Sequence, residues 1–228
     1  MGGRGSSSKI NRQNRGTSSS ATGANEAKTP KKEVSTNAEE LKGKAEKEFT
    51  EKTATQYKKT ITKAEADALR EYQGAAYRTI NKGLRTGTKL DKDDKQTIKH
   101  LDKAMSKNKL SQNMVLYRGL KQNEVDKLMK TKVGSKITDK GYSSTSTKKE
   151  IASAFARGEY PGTIKNVIAK YSVAKGTPAI HVPSTNKAVG RTSMKDAEKE
   201  VLLNRNTTAT FKGFSKRGRN VIANFVIS

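Results

Sequence analysis

The 228-residue chain has no cysteine, no tryptophan, only two histidines and only four prolines. The lack of cysteine excludes disulfides, cysteine-ligated zinc and thiol nucleophiles. His100 and His181 are too few for a zinc centre. With no Gly-x-Ser-x-Gly elbow in the chain, a Ser-His-Asp hydrolase is disfavoured as well. Aromatic residues make up 5% and hydrophobic residues 32%, which is low for a chain packed throughout, so part of it is expected to be disordered. No apolar run approaches the ~18 residues of a membrane span, and the N-terminus lacks the apolar stretch of a secretory signal. The default expectation is a soluble protein made in the cytoplasm. Neither a Gly-x-x-x-x-Gly-Lys-Ser/Thr phosphate loop nor a Gly-x-Gly-x-x-Gly between strand and helix is present, so a nucleotide site here would be of another kind. Acidic residues are also scarce: 22 against 47 basic ones leave a net charge of +25, which attracts polyanions without naming a chemistry.

The residues that are present divide the chain. Residues 1–35 are Gly, Ser, Thr, Asn, Lys and Arg, the composition of a disordered basic tail. Residues 36–60 are charged, with sparse apolar positions at Leu41, Ala45, Phe49 and Tyr57, which suits a helical linker or extension. Residues 1–60 carry a net +6, so +19 remains in 61–228 and the folded part is itself basic. That part opens with Thr62-Lys63-Ala64-Glu65, a capping box that predicts a helix start. A second helix is predicted from about Asp93 to Ser106. Short strands then follow: Met114 to Leu120, Lys136 to Thr138, Gly141 to Ser146, Asn166 to Val173, Ala179 to Val182, Glu200 to Leu203 and Val221 to Ile227, with Thr208 to Phe214 as an additional candidate. Two predicted helical stretches interrupt them, Gln122 to Met129 and Ile151 to Ala156. Helices first and strands afterwards predict an α+β fold with a mainly antiparallel sheet.

Three polar groups fall at predicted strands. Glu198 and Glu200, in Lys195-Asp196-Ala197-Glu198-Lys199-Glu200-Val201-Leu202-Leu203, would share one face if both lay on the strand, about 6.5–7 Å apart. Two carboxylates that close raise each other's proton affinity and invite a cationic partner. The same stretch also fits a solvated Glu-Lys-Glu turn. Arg118, followed by Gly119, suits a planar fork gripping a phosphate, or a structural ion pair. Ser144-Thr145-Ser146 fits a site or a surface strand whose hydroxyls satisfy nearby backbone.

Six pieces in order carry a resemblance: Tyr72 through Arg85, Leu116-Tyr117-Arg118-Gly119, Gly141 through Ser146, Phe155-Ala156-Arg157, Val173-Ala174-Lys175-Gly176, and Glu198 through Leu203. Together they resemble the Arg-Ser-Glu class of mono-ADP-ribosyltransferases over roughly 61–228. That class includes the Rho-modifying clostridial exoenzymes, the actin-modifying binary toxins and related domains of phage head-associated proteins. The resemblance implies a fold of N-terminal helices followed by two mainly antiparallel sheets, with 61–228 as the catalytic domain. It implies NAD as substrate and no metal. Glu200 would stabilise positive charge on the ribose, Ser144 would orient Glu200, and Arg118 with Gly119 would hold the phosphates. Tyr72, Asn81 and Arg85 match helix residues that reach the dinucleotide, and Phe155 and Arg157 match a loop that covers it. Glu198, where relatives acting on asparagine have Gln, implies an arginine acceptor, since a guanidinium needs a carboxylate to orient it and take its proton.

The segment from Ser184 to Ala197 has no aromatic residue where relatives often present one to the target protein, so the target stays open. The expected partner is an arginine-bearing protein, with nucleic acid or a nucleic-acid-bound protein as a further partner of the basic surface, and the chain is expected to be monomeric. The competing reading is a basic nucleic-acid-binding or virion-associated protein on the same fold. Association with a virion or delivery into a target cell are the alternatives to a purely cytoplasmic life.

Overall fold

A computed structural model describes residues 37–157, 167–217 and 220–228. The predicted basic tail, residues 1–35, lies outside the described residues. The charged extension contains the helix α1, Gly43–Thr60, which buries Phe49, Thr53, Ala54 and Tyr57. Tyr57 takes a hydrogen bond from the backbone N–H of His181 on its hydroxyl. Burial pushes the Tyr57 phenol up to about 12. The sparse apolar positions of 36–60 therefore form a packed stripe.

Helix α2, Lys63–Glu71, starts at the predicted capping box, in which Thr62 and Glu65 each satisfy the other's backbone N–H. It runs through a π-helical turn, Tyr72–Ala76, into α3, Tyr77–Thr86, which ends at Gly87 in the left-handed region. Helix α4 spans Lys92–Lys107, with Asp91 as its N-cap and Asp93 and Asp94 in the first turn.

The strands are β1 Met114–Gly119, β2 Lys136–Asp139, β3 Ser143–Ser146, β4 Val167–Val173, β5 Ala179–His181, β6 Glu200–Leu203, β7 Thr207–Arg217 and β8 Asn220–Ile227. Helix α5, Gln122–Met129, follows β1, and α6, Lys149–Arg157, follows β3. Besides the π-helical turn, two elements escaped the sequence reading. One is α7, Val182–Ala188, which carries a proline in its first turn; the other is a 3-10 turn, Met194–Glu198, with a Ser193/Asp196 capping box.

The eight strands of the described residues join in the order β2-β7-β8-β4-β1-β3-β6-β5, antiparallel throughout except for β4 beside β8. The two sheets implied by the resemblance are thus present as two halves. They meet where β1 and β3 share a single register pair, Tyr117 opposite Ser146. By contrast, β1 pairs with β4 over six positions and β3 with β6 over four.

Two of the three buried clusters among the described residues explain this arrangement. Met114, Leu116, Val201 and Leu203 belong to one, with β7, β8 and α5. Leu202 and Ile180 face the other, with Tyr57, Leu69, Tyr72, Leu101 and Met105 from the helices. Alternation along β6 therefore sends Val201 and Leu203 to one side and Glu200 and Leu202 to the helical side.

Candidate active site

The seam between the half-sheets opens into a cleft of about 1380 Å³, somewhat larger than a typical small-molecule site. Beyond the Tyr117–Ser146 pair the ladder between β1 and β3 stops. Arg118 and Ser144 lie on opposite sides of that gap, and both line the cleft with Glu198 and Glu200. Three polar groups far apart in the chain thus share one wall because two halves of a sheet part at one point.

Glu200 begins β6 opposite Ser146 and is buried. Gln73 Nε2 donates to its Oε2 at 2.6 Å, and the Ser144 hydroxyl lies beside the carboxylate. Burial is the largest influence and pushes the Glu200 carboxyl above its ordinary value. Glu198 pushes it the same way, while Ser144, Gln73 and Lys195 act against the rise. Thr145 Oγ1 donates to the Val201 carbonyl at 2.6 Å and Ser146 Oγ to the Glu198 carbonyl at 2.7 Å, so β3 fixes the backbone on both sides of Glu200.

The expected placement of both acids on one strand is corrected. Glu198 ends the 3-10 turn, half-buried, and Lys199 at φ 50° breaks the chain before β6 begins at Glu200. A non-glycine residue in the left-handed region is uncommon and reorients the chain between its neighbours. The spacing expected of one extended strand therefore does not describe the pair, although both carboxylates line the same cleft.

Across the gap, Arg118 is embedded among carboxylates. Its Nη2 donates to Glu124 Oε1 at 2.9 Å, and its Nη1 lies 3.8 Å from Asp139 Oδ2 and donates to Ser143 Oγ at 3.4 Å. Burial opposes the charged form, but Glu124, Tyr171 and Asp139 outweigh it and raise the pKa of the guanidinium. Asp139 in turn accepts two bonds from Arg85, both at 2.8 Å, one from Ser143 at 2.6 Å and one from the Gly141 N–H at 2.9 Å. Burial works against this carboxylate, yet Arg85 and Ser143 hold it below its usual range.

The other expected residues divide by what occupies their polar atoms. Tyr72 is buried and accepts from Asn81 Nδ2 at 2.8 Å; burial pushes its phenol up to about 12. Asn81 also accepts the Tyr142 N–H at 2.9 Å, so it braces α3 against the start of β3. Arg85 spends its fork on Asp139 and the Tyr142 carbonyl. Gly119 lines the cleft, but a Cβ there would lie 2.6 Å from the backbone of Ala152 and of Ala156. Its glycine is needed first for the packing of α6 on β1. Phe155 is 62% exposed and lines the cleft. It and Arg157 sit on the last turn of α6 rather than in a loop, a correction that follows from the apolar spacing of Ile151, Ala152 and Phe155. The Arg157 side chain lies outside the described residues.

The sequence reading missed Gln73, which lies inside the stretch Tyr72 through Arg85 without being singled out, and Glu124 and Asp139, which belong to no motif it used. A faint signal existed for Glu124, at the third position of a helix starting just after Arg118, where a carboxylate caps. Among the described residues no group of three metal-ligating side chains is found, and no helix is long and apolar enough to cross a membrane.

Comparison with known proteins gives concordant matches. The model of the ADP-ribosyltransferase exoenzyme family matches residues 46–226. An NAD(+)–arginine ADP-ribosyltransferase of Enterococcus faecalis is 31% identical over 150 residues, or 64% of this chain; the chain spans only 28% of that relative's length. Among solved structures, the Plx2a toxin of Paenibacillus larvae superposes with a TM-score of 0.63 at 22% identity, covering 80% of this chain and 94% of that one. The C3 exoenzyme of Clostridium limosum superposes with a TM-score of 0.61 at 22% identity, over 80% and 92%. At that identity the structures report the shared fold.

Proposed function

The chain belongs to the ADP-ribosyltransferase exoenzyme family, and we propose that it cleaves NAD and transfers ADP-ribose to an arginine of a target protein, releasing nicotinamide. The observation that carries this reading is the cleft itself: a buried carboxylate held by neutral donors on one side of the sheet seam and an embedded guanidinium on the other.

The residues fit such a substrate. Arg118 offers a planar fork for a pyrophosphate, which would take the place that Glu124 and Asp139 now share. Glu200 supplies a negative charge to stabilise the ribose as its bond to nicotinamide breaks and C1 becomes cationic. Ser144, beside both Tyr72 and Glu200, keeps the carboxylate aimed. Glu198, more accessible and outside the strand, is placed to receive the acceptor guanidinium. It accepts the proton that leaves the attacking nitrogen as the new C–N bond forms and nicotinamide departs with the old bonding pair. Lys195 and the fully exposed Met194 present the surface beside Glu198 to the target protein, in place of an aromatic residue.

The test is incubation with NAD labelled in the adenylate half and an arginine-bearing acceptor, with the modified side chain identified by mass spectrometry. Label on arginine in the wild type and its absence in Glu200→Ala support the reading. Near-wild-type labelling by Glu200→Ala would overturn it.

A further inference from the structure

Helices α2 and α3 are one continuous helix widened by a single π-turn, Tyr72–Ala76, in which the Tyr77 N–H reaches back five residues to the Tyr72 carbonyl. Such turns insert a residue into a helix and shift the side chains around them. Gly74 at its centre has open space where a Cβ would stand, so the widening is not forced by a clash there. Its consequence falls on Gln73. The side-chain amide of Gln73 reaches the Glu200 carboxylate at 2.6 Å, while the Gln73 main-chain carbonyl accepts from Lys195 Nζ. One residue of the turn thus holds both ends of the acidic segment, the start of β6 and the 3-10 turn before it.

We infer that Gln73 is a second positioning residue for the catalytic carboxylate, sharing with Ser144 the task of keeping Glu200 anionic and aimed into the cleft, an inference that rests on the NAD-cleaving reading above. The physical reason is the choice of donor. A cation at 2.6 Å would hold the carboxylate but cancel much of the field it must direct at the sugar. A neutral amide stabilises the anion and leaves its net charge in place. The need is real, because burial and the neighbouring Glu198 both favour the protonated form. The groups facing Glu200 are few: Ser144 from β3, Tyr72 and Gln73 from the widened turn, and Lys195 and Glu198 from the 3-10 turn. Of these, Gln73 donates a hydrogen bond to the carboxylate, and the Ser144 hydroxyl stands beside it.

The test compares the full-length wild type with Gln73→Leu and Gln73→Glu in two ways. Carboxyl-carbon NMR follows the titration of Glu200 in the unliganded protein, and NAD glycohydrolysis is measured from acid to neutral pH. Gln73→Leu is expected to move the Glu200 titration and the acid limb of kcat to higher pH, and to lower kcat about tenfold at neutral pH. Gln73→Glu, nearly isosteric, is expected to move both further, since it places a third carboxylate against Glu200. A purely steric role predicts the reverse order, with Gln73→Glu close to wild type, and that result overturns the inference. So does an unmoved Glu200 titration in both variants. A wild type that leaves NAD intact while its Glu200 titration still responds to position 73 sinks the NAD reading and retains the contact.

Discussion

The two sides of the cleft solve opposite electrostatic problems. Arg118 is surrounded by carboxylates, with Glu124 and Asp139 beside it and Arg85 bound behind Asp139. Glu200 is surrounded by neutral donors, Ser144 and Gln73, with Lys195 only a weaker influence. The difference fits the role proposed for each group. A guanidinium that will exchange its partners for phosphate oxygens can rest against carboxylates, because the exchange replaces one anion with another. A carboxylate that must act on a transient cation loses its effect if a permanent cation is already bound. The contrast also appears in ionisation: Asp139, on the cationic side, is held below the ordinary carboxylate range, and Glu200 is held above it.

The largest test of this contrast is Glu200→Gln, which keeps the shape and removes the charge. NAD glycohydrolysis, followed by nicotinamide release, is expected to fall by about 10³-fold or more. Next comes Arg118→Lys, which keeps the charge and removes the fork. The KM for NAD is expected to rise about tenfold with a smaller change in kcat, since a point charge cannot replace a bidentate grip. If KM is unchanged, Arg118 is a structural ion pair and the two sides of the cleft are not functionally distinct.

Smaller effects separate the two sides by stability. Asp139 has a depressed folded pKa, so its contribution is fully present above its unfolded value, ~3.9, and is lost as pH falls through the folded value. Asp139→Asn is therefore expected to lower the melting temperature at neutral pH, by the equivalent of about 1.5–3 kcal/mol for lost charged hydrogen bonds, with the deficit shrinking in acid. Glu200 has the opposite sign. Its folded pKa is raised, so ionisation costs stability as pH climbs from the unfolded value through the folded one. Glu200→Gln is expected to melt at or above the wild-type temperature at neutral pH, with the gain vanishing below about pH 4. Thermal melts of the two variants from neutral to acid pH check both signs. Deficits of the same sign in both variants at neutral pH would remove the proposed difference between them.

Much of this architecture was legible from local signals. The Thr62/Glu65 capping box located α2, and the apolar run ending at Leu203 located β6 with Glu200 at its first position. Where the chain departs from regular periodicity, reading failed. The Lys199 left-handed residue separates two acids that alternation alone would place on one strand. The π-turn at Tyr72–Ala76 carries no sequence mark stronger than Gly74, so Gln73 gave no reason to be singled out. Asp139 and Glu124 acquire their roles only when β2, α5 and β1 are brought together, a long-range fact that no window of residues contains. The constellation itself was readable because order and residue type are local, whereas the groups that set its electrostatics are not.

The proposed division of labour between the two acids is tested most directly by measuring nicotinamide release and arginine-linked ADP-ribose side by side in Glu198→Gln. The expected result is NAD glycohydrolysis within a few-fold of wild type, with transfer to arginine reduced by about 10²-fold or more. Equal loss of both activities, or arginine transfer that survives intact, contradicts the assignment of the ribose to Glu200 and the acceptor to Glu198.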